Sequence, residues 1–345
     1  MVHFQETLIS WYLINKRDLP WRDTRDPYKI WLSEIILQQT RVVQGTSYYL
    51  KFINEFPSVK DLSESTEQKV LSLWQGLGYY SRARNLHAAS KDIINNHQGI
   101  FPDNYIDLLK LKGVGPYTAA AISSFSFNEA KAVVDGNVFR VLSRIYDIST
   151  PINSSQGVKT FQELAQSVLN KSDPATHNQA IMEFGALVCT PKAPKCNKCP
   201  MTLECSSFKN DTTKKRPVKI RKGTIRSRFF IYKVFYNSTE KLLFLKKRKA
   251  KDIWQNLYDF EHQEFTTKEL FDEQVQAFPS EKHTVSLSHK LTHQHIMAFF
   301  VLCPTIKKKT HNELVPVKIS ELKTYPIPTL IKKYLEQEPK IPNSV

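Results

Sequence analysis

The chain has 345 residues, 49 Lys and Arg against 33 Asp and Glu, a net charge of +16 and 41% hydrophobic residues. That length suits about two domains of ~100–200 residues with real cores, and the composition excludes a disordered tail. A pI near 9.5 directs attention to a polyanionic partner, nucleic acid first. The longest apolar run, Ile296 to Cys303, falls far short of the ~20 residues a membrane helix needs, so no membrane association is expected. Met1 to Glu6 carries neither a basic start nor a small-residue cleavage site. An intracellular, reducing setting is expected.

From Phe4 to about Leu187 the periodicity is helical almost throughout. Leu8, Trp11 and Tyr12, then Ile30, Ile36 and Leu37 around Trp31, recur at three to four. Amphipathic stretches follow over 66–76, 84–95, 103–111, 117–125, 137–146, 157–169 and 177–187, separated by short Gly, Pro and Asp punctuation. Within this series Leu111-Lys-Gly-Val-Gly-Pro-Tyr-Thr-Ala119 joins two helical segments. Gly113 and Gly115 permit a tight turn, and the helix that follows offers unpaired N–H groups suited to a phosphate. A packing corner is the plainer reading of that turn. The apolar spacing on both sides matches a helix–hairpin–helix.

Four of the five cysteines fall in one loop, Cys189-x6-Cys196-x2-Cys199-x5-Cys205, with Pro191, Pro194 and Pro200 between them. Proline keeps the loop out of helix, so the four thiolates can converge. Such a set suits tetrahedral zinc or an iron–sulfur cluster. Structural zinc prefers two close pairs, whereas here one pair is flanked by two single cysteines, which favours the cluster. Residues 206–228 then hold nine Lys and Arg against Asp211 alone, half the net charge of the molecule. This reads as a solvated linker that can also lie along phosphates. Beyond it the texture turns to β, with runs at 228–236, 242–245 and 295–302.

The expected fold is mainly α. An all-helical domain (1–205), carrying the cysteine loop at 189–205, is followed by a basic linker (206–227) and a C-terminal α+β domain (228–345).

Several segments together are identifiable: Leu19-Pro-Trp-Arg22, Trp31-Leu-Ser-Glu-Ile-Ile-Leu-Gln-Gln-Thr40, Trp74-Gln-Gly-Leu-Gly-Tyr-Tyr-Ser-Arg-Ala-Arg-Asn85, the glycine hairpin, Val134-Asp-Gly-Asn-Val-Phe-Arg-Val-Leu142 and the cysteine loop. With them the chain resembles the helix–hairpin–helix DNA glycosylases of the endonuclease III superfamily, and within it the A/G-specific adenine glycosylases of MutY type. The C-terminal stretch Arg248 to Phe260 resembles the entry to a Nudix fold, without the glutamate-rich box that binds metal in Nudix hydrolases. The resemblance implies a [4Fe-4S] cluster on Cys189, Cys196, Cys199 and Cys205. It also implies a monomer acting on double-stranded DNA that contains A:8-oxoguanine or A:G. Its place would be the bacterial cytoplasm with the nucleoid, or the nucleus or an organelle of a eukaryote.

Breaking an N-glycosidic bond needs an acid at the leaving base and negative charge at the sugar, roles that two carboxylates in different environments can divide. Glu34 sits in an apolar helical stretch, where burial should raise its pKa and keep a proton near neutrality. Asp135 precedes a helix as an N-cap, which fixes a carboxylate and keeps it ionised. The resemblance assigns Glu34 to protonating adenine N7 and Asp135 to stabilising or trapping the sugar cation, with Asn137 and Tyr117 in support. Bifunctional members place a lysine at the position of Tyr117, so the product expected here is an abasic site without a nick.

Further positions follow from the resemblance. Gln39, Leu77 and Tyr79 match residues that wedge into the duplex. Thr40 and Leu77 match contacts to the opposite base, Trp21 and Arg22 match the wall of the adenine pocket, and Gln179 matches an adenine contact that is acidic in some relatives. Gly76 and Gly78 suggest that Leu77 is an exposed loop tip, and Arg82 and Arg84 are read as phosphate contacts or solvated cations. In the C-terminal domain Thr292 and His293 match a loop that reads 8-oxoguanine. Two rivals stand beside this reading: a pyrimidine lyase or thymine mismatch enzyme of the same superfamily, and a non-catalytic DNA-binding module.

Overall fold

The computed structural model describes residues 2–220, 223, 225–279, 283–303 and 313–342. Arg221 and Lys222 of the basic block lie outside the described residues. The helices are α1 (Val2–Asn15), α2 (Pro27–Leu37), α3 (Val42–Glu55), α4 (Val59–Glu64), α5 (Glu67–Leu73), α6 (Ser81–His97), α7 (Tyr105–Leu108), α8 (Pro116–Phe127), α9 (Gly136–Ile145), α10 (Ser155–Val168), α11 (Pro174–Leu187), α12 (Ser206–Lys209), α13 (Lys268–Gln276) and α14 (Thr329–Gln337). The strands are β1 (Arg226–Asn237), β2 (Leu242–Lys247), β3 (Tyr258–Asp259), β4 (Glu261–Phe265), β5 (Thr284–Lys290), β6 (Gln294–Cys303) and β7 (Leu314–Lys318). No helix among the described residues is long and apolar enough to cross a membrane. The chain forms two compact units, Met1–Ser63 with Ala88–Lys222, and Glu64–His87 with Gly223–Val345.

The first unit is helical, as the periodicity predicts. Its helices start where side chains can take the free N–H groups: Asp26 accepts from Tyr28, Asp135 from Asn137 and Val138, Ser154 from Gly157, and Asp173 from Thr176. Proline opens α2, α8 and α11, where its missing N–H costs nothing. Helix α2 packs on α3 and α8, while α11 packs on α1, α8 and α9. One core joins Phe4, Leu8 and Tyr12 to Val138, Val141, Leu142, Phe161, Ala180, Ile181 and Phe184. Burying each of the larger side chains contributes roughly 1.5–3 kcal/mol.

Much of the basic block is tied to this unit. Asp147 accepts from Ser207 (3.2 Å), Asn210 (2.9 Å) and Thr212 (2.6 Å) and pairs with Arg216 at 2.8 Å. These bonds hold the Asp147 carboxyl down at about 2. Further along, the Ile152 amide donates to Val218 O, and Asn153 bonds Ile220 in both directions. The composition suggested a solvated linker; an acidic hub at the end of α9 explains why residues 206–220 instead follow a folded surface.

The second unit is built on a mixed seven-stranded sheet of order β3-β2-β1-β6-β5, with β4 also pairing β1 and β7 pairing β2. The β1–β6 pair is parallel and the other pairs are antiparallel. Phe230, Tyr232, Phe260 and Phe300 are fully buried around β1 and β6, and Tyr334 of α14 stacks on Phe300. Residues 64–87, helical in sequence pattern, belong here. Gln68 and Ser72 of α5 donate to Thr324 O, Arg84 donates to Gln255 O, and Asn256 donates to Glu67.

Candidate active site

In the first unit a cleft of roughly 270 Å³ is lined by Arg17, Trp21, Arg22, Glu34, Thr40, Asp135, Asn137, Gln179, Met182 and Glu183, among others. Seven residues singled out from sequence therefore meet in one place, brought there from four separate segments. Glu34 arrives on α2, whose buried side chains Trp31, Leu32, Ile35 and Ile36 surround it, and it is only 6% exposed. Burial raises its pKa to about 7, with the Tyr117 hydroxyl donating to it and working the other way, and the charge of Asp135 adding to the rise. Tyr117 is the second residue of α8, so the hairpin turn fixes where its hydroxyl reaches; that hydroxyl also lies 3.7 Å from Met182 Sδ.

Asp135 caps α9. Its Oδ1 accepts from the amides of Asn137 and Val138 at 2.8 Å each, and its Oδ2 accepts from Asn137 Nδ2 at 2.6 Å. Capping was expected to keep this carboxylate low. Burial in fact moves its pKa upward, with the Val138 and Asn137 donors and the charge of Arg140 acting against the rise. Asn137 is fixed in turn by Arg140, whose Nη2 donates to Asn137 Oδ1 (2.8 Å) and to Gly185 O (2.7 Å). Gly185 lets α11 approach that closely, since a Cβ there would lie 2.7 Å from Asn137 Cβ.

The opposite wall is more polar than the sequence suggested. Arg22, expected in the wall of the adenine pocket, has its side chain only 10% exposed and pairs with Glu183 at 2.7 Å. Arg17 makes a second two-point contact with the same carboxylate, at 2.8 and 2.7 Å. Burial works to raise the pKa of Glu183, but the bonds from Arg17 and Arg22 prevail and hold it at about 2. Neither Arg17 nor Glu183 was singled out from sequence. The signal was present, because a charged residue between Ile181 and Phe184 on a buried helix face needs a partner.

Trp21 lines the cleft and meets Tyr49 edge to face at 5.3 Å. Gln39, beside Thr40, takes φ = 56°, a left-handed conformation that costs a non-glycine residue about 1 kcal/mol or more. The hairpin glycines stand apart from the cleft. Gly113 is left-handed (φ = 81°), and nothing lies within 4 Å of where a Cβ on Gly115 would project, in front of the first turn of α8.

The four loop cysteines are half-buried free thiols that line one small apolar cavity with Phe184, Met201 and Phe208. Burial pushes up the Cys199 and Cys205 thiols, and neighbouring cysteines add to the rise. Arg144 ties α9 to this loop: its Nη1 lies 3.4 Å from Cys189 Sγ and donates to Thr190 O, while its Nη2 donates to Pro191 O. No three His, Cys, Asp or Glu side chains among the described residues are placed to hold a single metal ion.

In the second unit a cavity of about 370 Å³ is lined by Gly78, Tyr79, Trp254, His289, Leu291, Thr292 and His293, among others. Tyr79 is left-handed (φ = 47°), 42% exposed, and its hydroxyl shares a 2.5 Å hydrogen bond with Thr292 Oγ1. Thr292 and His293 form the turn from β5 to β6. Leu77 differs from expectation: it is buried, at 8% exposure, because the turn after α5 folds it inward, and Tyr79 is the residue left at the surface. Arg82 is likewise buried. It holds the Gly78 carbonyl at 3.2 Å and lies 5.0 Å over the Trp74 ring, so it serves the loop and not solvent.

Residues 32–167 match the family model described as "HhH-GPD superfamily base excision DNA repair protein", and residues 232–337 match that of the NUDIX domain. An adenine DNA glycosylase of Buchnera aphidicola subsp. Schizaphis graminum is 33% identical over 343 residues, covering 96% of this chain and 98% of the relative. That of Buchnera aphidicola subsp. Baizongia pistaciae is 38% identical over 260 residues, 74% of this chain and 73% of the relative. Among solved structures, a thermostable thymine-DNA glycosylase superposes with a TM-score of 0.56 at 32% identity, over 60% of this chain and 95% of that one. Similarity along nearly the full length of both chains, spanning the helical unit and the NUDIX match together, places this chain in the adenine DNA glycosylase family.

Proposed function

We propose that this adenine DNA glycosylase of base excision repair flips adenine out of A:8-oxoguanine, and more slowly out of A:G, and hydrolyses its glycosidic bond without cutting the strand. One observation carries the reading: a buried Glu34, poised to hold a proton near neutrality, faces Asp135 across a cleft of nucleobase size. The Glu34 carboxyl gives its proton to adenine N7. The C1′–N9 bond breaks with its electron pair passing to the base, and the sugar becomes an oxocarbenium ion beside Asp135. Water then adds at C1′, its proton returning to Glu34. Asp135, held by Asn137 and the first turn of α9, stabilises the cation or traps it briefly. Tyr117 orients Glu34. Among the described residues that line the cleft none is a lysine, which supports monofunctional hydrolysis over Schiff-base chemistry.

The cavity at Tyr79, Thr292 and His293 would read 8-oxoguanine opposite the target, with Gln39 and Thr40 at the opened duplex and Gly113 and Gly115 at its phosphates. Cys189, Cys196, Cys199 and Cys205 would hold a [4Fe-4S] cluster. The donor set fits: four thiols line one small apolar cavity beside the positive charge of Arg144. Such a cluster supplies a rigid, anionic cross-link for the loop. The protein would act as a monomer, with residues 228–345 as its lesion-reading domain.

Duplexes carrying A:8-oxoguanine, A:G, T:G or an oxidised pyrimidine, analysed with and without alkali, test the reading. Scission of A:8-oxoguanine only after alkali is expected, and nicking of a pyrimidine lesion without alkali would overturn it. A broad visible absorbance lost in Cys199→Ser distinguishes the cluster from zinc.

A further inference from the structure

Two turns meet at the cavity of the second unit. Asp252 and Trp254 line it from the segment after β2, and Thr292, His293 and Gln294 line it from the turn between β5 and β6. One buried side chain joins the two. Arg228 of β1 is only 6% exposed, and its Nη1 donates to Asp252 Oδ1 at 2.9 Å and to Gln294 Oε1 at 3.3 Å. Its Nε and Nη2 donate to the two oxygens of Glu264 on β4, at 2.7 Å each. The register explains the meeting. Arg228 lies opposite Ile296 in the parallel β1–β6 pair, so Gln294, two residues earlier, projects from the same face, as does Glu264 opposite Phe230. Asp252 is gripped from a second direction by Arg248, whose Nη2 donates to its Oδ2 at 2.8 Å, and its Oδ1 also accepts the Ile253 amide at 2.7 Å.

We propose that Arg228 is a positioning residue for lesion recognition: by tying the 252–254 turn to the 291–294 turn it sets the width of the cavity that reads the base opposite adenine. 8-Oxoguanine differs from guanine by a C8 oxygen and by an N7 that donates where guanine's accepts. Telling them apart depends on hydrogen-bonding groups held in place, because a hydrogen bond weakens steeply once its partner is misaligned. A planar guanidinium can hold two turns and an anchor at once, whereas a lysine ammonium is a single point of charge. Arg228 belongs to the second unit, and Glu34 and Asp135 belong to the first. Its loss should therefore change which opposite base is preferred and leave bond cleavage at adenine intact.

This inference rests on the cavity reading 8-oxoguanine, and the test separates the two. Single-turnover excision is measured on full-length protein with adenine opposite 8-oxoguanine and opposite guanine, for wild type, Arg228→Lys, Gln294→Leu and the double variant. In Arg228→Lys the ratio of the two rates should fall about tenfold, the value of one charge-assisted hydrogen bond, with the A:G rate near wild type. Gln294→Leu breaks one arm of the link and should lower the ratio by less, and the double variant should match Arg228→Lys. Equal losses on both duplexes, or an unchanged ratio beside a lower urea midpoint, would show a merely structural role and overturn the proposal. Losses that add in the double variant would overturn it too, since Gln294 would then act without Arg228. Should Arg228→Lys fail to fold, Glu264→Gln loosens the same guanidinium from a side chain 36% exposed, and a wild-type ratio there overturns the proposal. Wild type with equal rates on the two duplexes would refute the reading of the cavity, and the proposal with it.

Discussion

Glu34 and Glu183 line the same cleft, both almost fully buried, and their carboxyls are driven in opposite directions, to about 7 and about 2. Burial acts alike on both. The difference lies in the donors. Glu34 stands on an apolar helix with Tyr117 as its donor and an anionic neighbour in Asp135, whereas Glu183 is enclosed by two arginines. One glutamate is left with a proton to give, and its neighbour is turned into an anchor that aims cations at the pocket. Depth in the protein therefore does not decide what a carboxylate can do; the count and charge of its partners do.

The comparison is most sharply broken at the acid. Glu34→Gln keeps the shape and removes the transferable proton, so single-turnover excision should drop by about 10³-fold or more while duplex binding in a gel-shift titration stays near wild type. Rates close to wild type would remove the assignment. At the anchor the cost should appear in stability. Glu183→Gln leaves two guanidinium groups facing an amide, and urea unfolding should lose about 3 kcal/mol, with Arg17 and Arg22 no longer fixed.

The pH dependence of the two sites should be opposite in sign. A folded-state pKa raised to about 7 means that the neutral Glu34 contributes stability fully below about 4.5, and that this is lost as pH rises through 7. The stability of Glu34→Gln relative to wild type should therefore rise by roughly 3 kcal/mol between pH 4.5 and 8. A flat difference would show that the carboxyl is not neutral in the folded protein. Glu183, held low, contributes stability that is fully present above about 4.5 and is lost progressively as pH falls through about 2. The smallest effect is expected at Gly185→Ala, where the new methyl presses on Asn137. A loss of about 2 kcal/mol should be accompanied by slower excision, because Asn137 holds Asp135.

Much was legible in the sequence because it depends on neighbours along the chain. The helical period of the first unit, the Asp135 cap, the glycine hairpin and the cysteine spacing are local patterns, and the structure contains each of them. The burial of Glu34 could be read from Trp31, Leu32, Ile35 and Ile36 beside it. Whether the four cysteines hold a cluster, and which bases are turned over, are matters for the experiments above.

Other features were not legible, because they arise between segments distant in sequence. Leu77 and Tyr79 are two residues apart in one turn, and only the fold makes the first buried and the second exposed. Residues 64–87 carry an ordinary helical pattern, yet they pack with the C-terminal sheet through bonds to residues some 170 to 260 positions away. The basic block reads as a solvated charge run until Asp147 supplies partners for it.

The charge of +16 pointed by itself to a polyanionic partner, and the motifs, through the family they resemble, to a nucleic-acid enzyme with two carboxylates and a cysteine loop, since composition and short-range spacing are properties of the chain alone. Only the tertiary structure could decide that Arg17, Arg22, Gln179 and Glu183 line one cleft, and that Tyr12, a helical core residue by its period, donates its hydroxyl to the Gln179 side chain. Hydrogen-bond saturation is a count over partners gathered from across the fold. No periodicity along the sequence encodes it.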